Sequence, residues 1–213
     1  AAPYLHLSLT WTLAALVLLS ALVLAAVGAG IGLWLGPSLG WDVLGTTGFL
    51  RNSAPIAALA GLLIGALQAI VAATLLGQIG LHQTPPPLWL GIIGALAGAV
   101  REEIIYRLGL MTLLVWLGAR LFRQAKASVA IIWIANLLTA IVFGAQHLSS
   151  DGAVVSGQVS PVVFTVLVIT YHAAAGLVFG WLYWRRGVLA AMLGHFGADL
   201  AITLLNLIPG FIA

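Results

Sequence analysis

The chain has 213 residues, of which 62% are hydrophobic and 6% charged, with a formal net charge of +3. Soluble domains are roughly 45–50% apolar and about 25% charged, so this chain cannot solvate a water-exposed globule of its size. Disorder needs low hydrophobicity, and nucleic-acid binding needs a basic face; the longest basic run here is Arg185-Arg186, so both are excluded.

The class that remains is an all-α, polytopic transmembrane helical bundle of about six to eight helices, read as one membrane domain over residues 1–213. There is no cysteine. That excludes disulfides, thiolate metal sites, Fe–S clusters and a cysteine nucleophile.

A membrane span needs about 20 mainly apolar residues. Residues 8–35 and 54–79 qualify as N-terminal spans. Both are too long for a signal-peptide core, and no basic stretch precedes the first, so no cleaved signal is expected. Pro85-Pro86-Pro87 then breaks the chain before the apolar run 88–118. Further spans are expected at 127–148, 161–184 and 188–208, the last stopped by Pro209-Gly210. At about 1.5 Å per residue the run 88–118 would be about 46 Å long, more than a bilayer core of about 30 Å. Residues 108–122 are therefore a candidate for a separate half-span or a surface helix.

With six spans, one side of the membrane receives Arg51, Arg120, Arg123, Lys126, Arg185 and Arg186, and the other receives no Lys or Arg. The positive side is expected to be cytoplasmic, which places both termini outside. Trp34, Trp41, Trp116, Trp181 and Trp184 fall near that boundary, and Trp11 and Trp89 near the other, as an aromatic belt requires. The pairs Gly61/Gly65, Gly94/Gly98 and Gly176/Gly180 are candidates for close helix contacts. No internal repeat is visible, which argues against a propeller or a two-fold transporter.

Some charges lie where a bilayer penalises them. Arg101, Glu102, Glu103 and Arg107 sit mid-span, and Asp199 sits in the last span. Each costs at least ~2.5–3.5 kcal/mol there, so such residues pair, face a watery cavity, or are absent. Glu103 and Arg107 are four residues apart and share a helix face, where they can pair. Glu102 lies about 100° further round, with no fixed partner implied by spacing. A purely structural charge network explains Glu103 and Arg107 well and Glu102 less well.

Among the histidines, His195 and Asp199 share a face, so the carboxylate can orient the ring. His147 closes the stretch Phe143-Gly144-Ala145-Gln146-His147. His172, mid-span after Tyr171, reads as a core histidine, and His6 and His82 as interfacial.

Taken in order, Glu-Glu-x-x-x-Arg (Glu102, Glu103, Arg107), Phe-x-x-x-His (Phe143, His147) and His-x-x-x-Asp (His195, Asp199) on apolar helices resemble the CAAX-protease and bacteriocin-processing family. That family includes the type II CAAX prenyl endopeptidases and is also called the Abi family. The stretch from Gly176 to Gly187 resembles the family's approach to its last motif, and the resemblance covers the core 88–205. Two positions depart from the pattern. Leu108 stands where many members have Gly, and Asp199 where Asn is common.

The resemblance implies intramembrane proteolysis of a peptide or protein substrate, prenylated or not, at the lipid bilayer. Glu102 with His147 would hold and activate a water, and His195 with Asp199 would stabilise the oxyanion. Glu103, Arg107 and Phe143 would support the site. A desolvated carboxylate makes a competent base, and a donor aimed at the developing oxyanion contributes a few kcal/mol, on the order of ~3. For His195 to donate, its proton must face the substrate, an arrangement Asp199 can enforce.

No cofactor is expected. Zinc is the metal alternative, with Glu102, His147 and His195 as ligands, although the signature His-Glu-x-x-His is absent. A second alternative is a non-catalytic subunit or scaffold, immunity-related or with a span histidine such as His172 ligating a pigment or haem. A third is a proton-coupled transporter. One conflict concerns depth. His147 lies 20 residues into its expected span and His195 only seven into its own. Straight helices starting at one surface would hold them apart, whereas the proteolytic reading needs them together.

Overall fold

The computed structural model of the chain describes residues 2–78, 86–148, 160–208 and 211. His82 and the expected Pro209-Gly210 stop lie outside the described residues, as does the side chain of His6. All regular structure among the described residues is helical. The physical reason is that a bilayer offers no hydrogen-bond partners, so each apolar segment must satisfy its own backbone.

In chain order the helices are α1 (Ala2–Leu35), α2 (Ala54–Gln78), α3 (Leu88–Glu103), α4 (Thr112–Leu121), α5 (Val129–Ala145), α6 (Pro161–Arg186) and α7 (Val188–Leu205). Wide, π-type turns run from Phe49 to Ser53 ahead of α2 and from Ile104 to Met111 between α3 and α4. Five stretches are long and apolar enough to cross a membrane: Ala15–Ser38, Phe49–Leu75, Leu88–Leu121, Pro161–Arg186 and Val188–Leu205. The chain is an integral, multi-pass membrane protein.

Two expectations change. Residues 108–122 are neither a half-span nor a surface helix, because α3 continues through the π-type turns into α4 as one rod, Leu88–Leu121. The expected span 127–148 is shorter, α5 having 17 residues, about 25 Å. Ser128 starts it, its hydroxyl accepting from the Ile131 N–H; Ser160 does the same for Val163 at the head of α6, followed by Pro161. The start of the last span is covered by another part of the chain. Val188, Ala190 and Ala191 are buried, and the first N–H groups of α7 donate to Val43 O (2.8 Å) and Leu44 O (3.3 Å) of the loop after α1. A helix start needs partners for its free N–H groups, and this loop supplies them. Gly45 (φ +72°) and Gly187 (φ +82°) meet backbone to backbone there, where neither has room for a Cβ.

Small residues let the rods touch. Gly61 and Gly65 of α2 lie against the backbone of Gly194 and Ala198 of α7, and Gly176 and Gly180 of α6 lie against Ala140 and Asn136 of α5. Gly94 and Gly98 do not work this way. Gly94 has open space beside it, and both line a cavity. Gly28 of α1 meets Ile104 and Gly109 in the π-type segment, and Gly32 makes room for Leu108. Gly32 thus accommodates the side chain that departs from the family pattern. Gly61→Ala would set a methyl on the Gly194 carbonyl, with backbone on both sides and no flexible group to yield. It is expected to cost about 1–3 kcal/mol, read as a lower thermal midpoint in detergent.

Candidate active site

The mid-span charges gather where α3 and the π-type segment pass between α7 and α5. Glu103 and Arg107 are both fully buried, and Arg107 Nη1 lies 3.2 Å from Glu103 Oε1, the pairing that their spacing suggests. Arg107 also donates from Nη2 to Gly176 O (2.9 Å), and its guanidinium lies over the rings of Phe143 (4.6 Å) and Phe179 (5.6 Å). Phe143, Phe179 and the close approach at Gly176 therefore form the walls around this charge.

Glu103 does more than pair with Arg107. Its Oε1 also lies 2.8 Å from His195 Nδ1. Asp199 sits at the other nitrogen, with Oδ2 3.6 Å from Nε2, and Glu102 Oε2 is 3.9 Å from the same atom. Asp199 thus lies beside His195, as the spacing suggests, and a second carboxylate joins it. Glu103 holds Nδ1, and Asp199 shares the Nε2 side with Glu102. At 3.6 and 3.9 Å neither carboxylate hydrogen-bonds Nε2, which leaves that nitrogen facing the cavity. The His195 ring is held flat on Phe179, centroids 4.6 Å apart and planes 15° apart. Glu102 has a partner that spacing did not suggest: Arg101, its chain neighbour, pairs with Oε1 from a half-exposed position.

His147 lies just beyond the end of α5, in a turn that brings its Nδ1 to 3.0 Å from Phe143 O. Its ring stands edge-on to Phe143, centroids 5.1 Å apart, and Phe143 in turn stands edge-on to His195 at 5.6 Å. One aromatic ring thus spans the gap between the two histidines. The two histidines are brought together despite their different positions along their spans.

Glu102, His147, His195 and Asp199 line one cavity of 240 Å³, room for several waters. His172, Gln68 and Tyr171 line it too. The His147 and His172 rings stack at 3.7 Å with planes 8° apart, so His172 belongs to the cavity wall and is not a core histidine. Gln68 Nε2 donates to Tyr171 O (2.8 Å), and Tyr171 Oη donates to Gln68 O (3.1 Å), which ties α2 to α6 beside the stack. The sequence carried one overlooked signal for this wall. A Gln in mid-span of α2 is costly unless it serves a cavity or a partner.

As a ligand set for zinc the residues fit poorly. Among the described residues no three His, Cys, Asp or Glu groups are gathered so as to hold a metal ion.

A family model described as type II CAAX prenyl endopeptidase Rce1-like matches residues 84–201, more than half of the chain and all three motifs. No curated protein and no solved structure matches the chain.

Proposed function

The chain belongs to the type II CAAX prenyl endopeptidase Rce1-like family, and we propose that it is an intramembrane endopeptidase in which a glutamate activates the attacking water. The observation that carries this reading is the single cavity lined by Glu102, His147, His195 and Asp199 within the spans. Glu102 takes a proton from a water that His147 helps to hold, and the resulting hydroxide attacks the peptide carbonyl carbon. The negative charge moves to the carbonyl oxygen, where the Nε2–H of His195 donates to it. The tetrahedral intermediate then collapses, the C–N bond breaks, and Glu102 returns its proton to the leaving amine.

For this, His195 must carry a proton on Nε2 while its Nδ1–H is given to Glu103. With that imidazolium, the cluster of Arg101, Arg107, Glu102, Glu103 and Asp199 is electrically neutral, an arrangement a bilayer tolerates. Asp199 supports the Nε2–H from the side. The ligand geometry does not favour zinc, and no step is routed through a metal. The charge asymmetry, with all six cations outside the site near one end of the bundle, supports a cytoplasmic placement of that end.

The test is cleavage of peptides by the purified full chain in detergent, with and without a farnesyl group on a cysteine a few residues before the C-terminus, read by mass spectrometry. Cleavage that survives a metal chelator supports the glutamate reading. Loss with chelator and recovery with zinc would replace it with the metal reading. No cleavage in a folded protein offered either peptide class would favour the scaffold.

His172 is a positioning residue on this reading, since its ring fixes the plane of His147. His172→Ala is expected to lower kcat by about 10–100-fold, as small misplacements of a catalytic group do. His172→Phe restores a stacking ring and is expected to recover most of that loss. Equal kcat for the wild type and both variants would remove His172 from the reaction.

A further inference from the structure

We propose that the basic end of the bundle binds an anionic phospholipid by its phosphate, in a second cavity remote from the catalytic cluster. This cavity measures 520 Å³ and lies between the turn after α1 (Ser38, Leu39), the last turns of α4 (Trp116, Arg120) and the turn that follows (Arg123, Gln124). Its place at the end of the membrane-spanning rods is where lipid headgroups lie.

The lining is built for an anion. Arg120 is held over the Trp116 ring at 5.3 Å, which points a rigid planar donor set at the cavity. No carboxylate among the described residues answers Arg120 or Arg123. Asp42 caps the N–H groups of Leu44 (3.1 Å) and Gly45 (2.9 Å), and Glu102, Glu103 and Asp199 belong to the catalytic cluster; Asp151 lies outside the described residues. Arg123 carries a second and independent signal. It has φ +52°, and among the described residues it alone of the non-glycine residues has positive φ. It follows the last residues of α4, with its N–H bonded to Arg120 O (3.1 Å) and the Gln124 N–H to Ala119 O (2.8 Å). Helices usually place glycine at this position, because the left-handed backbone strains any side chain. Arg123 thus sets a guanidinium at the cavity from a backbone position where glycine would be unstrained.

A bland alternative is that both arginines only offset the negative end of the α4 dipole. Arg123→Gly separates the two readings. It relieves the backbone, so the fold loses nothing at the turn, and it removes the guanidinium.

The experiment titrates the detergent-purified full chain with phosphatidylglycerol, phosphatidylcholine and, separately, inorganic phosphate. Bound species are counted by native mass spectrometry, and the thermal midpoint is followed alongside. Phosphatidylglycerol is expected to be retained in preference to phosphatidylcholine. Arg123→Gly is expected to weaken its binding about fivefold, and Arg120→Gln/Arg123→Gly about 25-fold, taking each cation's usual worth against an anionic lipid. The midpoint of Arg123→Gly without lipid is expected to stay level or rise. Equal retention of the two lipids, or unchanged phosphatidylglycerol binding by Arg123→Gly, would overturn the proposal. So would inorganic phosphate that binds as tightly as the lipid, which would make this a site for a soluble phosphate.

Discussion

Glu102→Ala is expected to lower peptide cleavage by about 10²–10⁴-fold, the usual worth of a positioned general base. The protein is expected to keep its yield and thermal midpoint, for a reason specific to this site. Glu102 pairs with Arg101, which lines the same cavity, so the abandoned cation keeps access to that polar space. The decisive readout is kcat/KM with folding followed in parallel. Retained cleavage would end the glutamate-base reading. Cleavage lost together with the fold would show that Glu102 is bound into the core more tightly than its partner suggests.

Arg107→Ala is expected to do the opposite, destroying the protein before its chemistry can be assayed. Arg107 is fully buried between Phe143 and Phe179 and pairs with Glu103, which is also fully buried. Its removal strands Glu103 as an unpaired charge, at a cost of about 3–5 kcal/mol. The expected result is collapse of the membrane-inserted yield and a lower thermal midpoint. Glu103→Gln/Arg107→Met removes both charges and is expected to recover much of that loss, since a buried pair contributes little net stability. A normal yield of Arg107→Ala would count against the pairing as a structural support. Glu103 Oε2 and Arg107 Nε and Nη1 have no hydrogen-bond partner among the described residues. The pair also serves the site, since Glu103 holds the Nδ1 of His195.

The amino-acid sequence alone determined the class of this protein and much of its cast. Its few charges and long apolar stretches dictate a helical bundle in a bilayer, because only internally bonded backbone survives there. Three spaced motifs singled out Glu102, His147 and His195 with Asp199, and the four-residue spacing gave the Glu103–Arg107 pair, because helical neighbours are fixed by local geometry. Whatever depends on contacts between helices was left to the tertiary structure. Only packing decides what caps the start of α7, since its first N–H groups are satisfied by a loop over a hundred residues earlier in the chain. Only packing turns Glu103, and not Asp199, onto His195 Nδ1, because the ring's direction is set by the helix facing it. His172 carries no motif, and its stack on His147 exists only where α5 ends against α6. Side-chain period along one helix is a property of the chain, whereas the atom that a side chain meets on another helix is a property of how the rods close together.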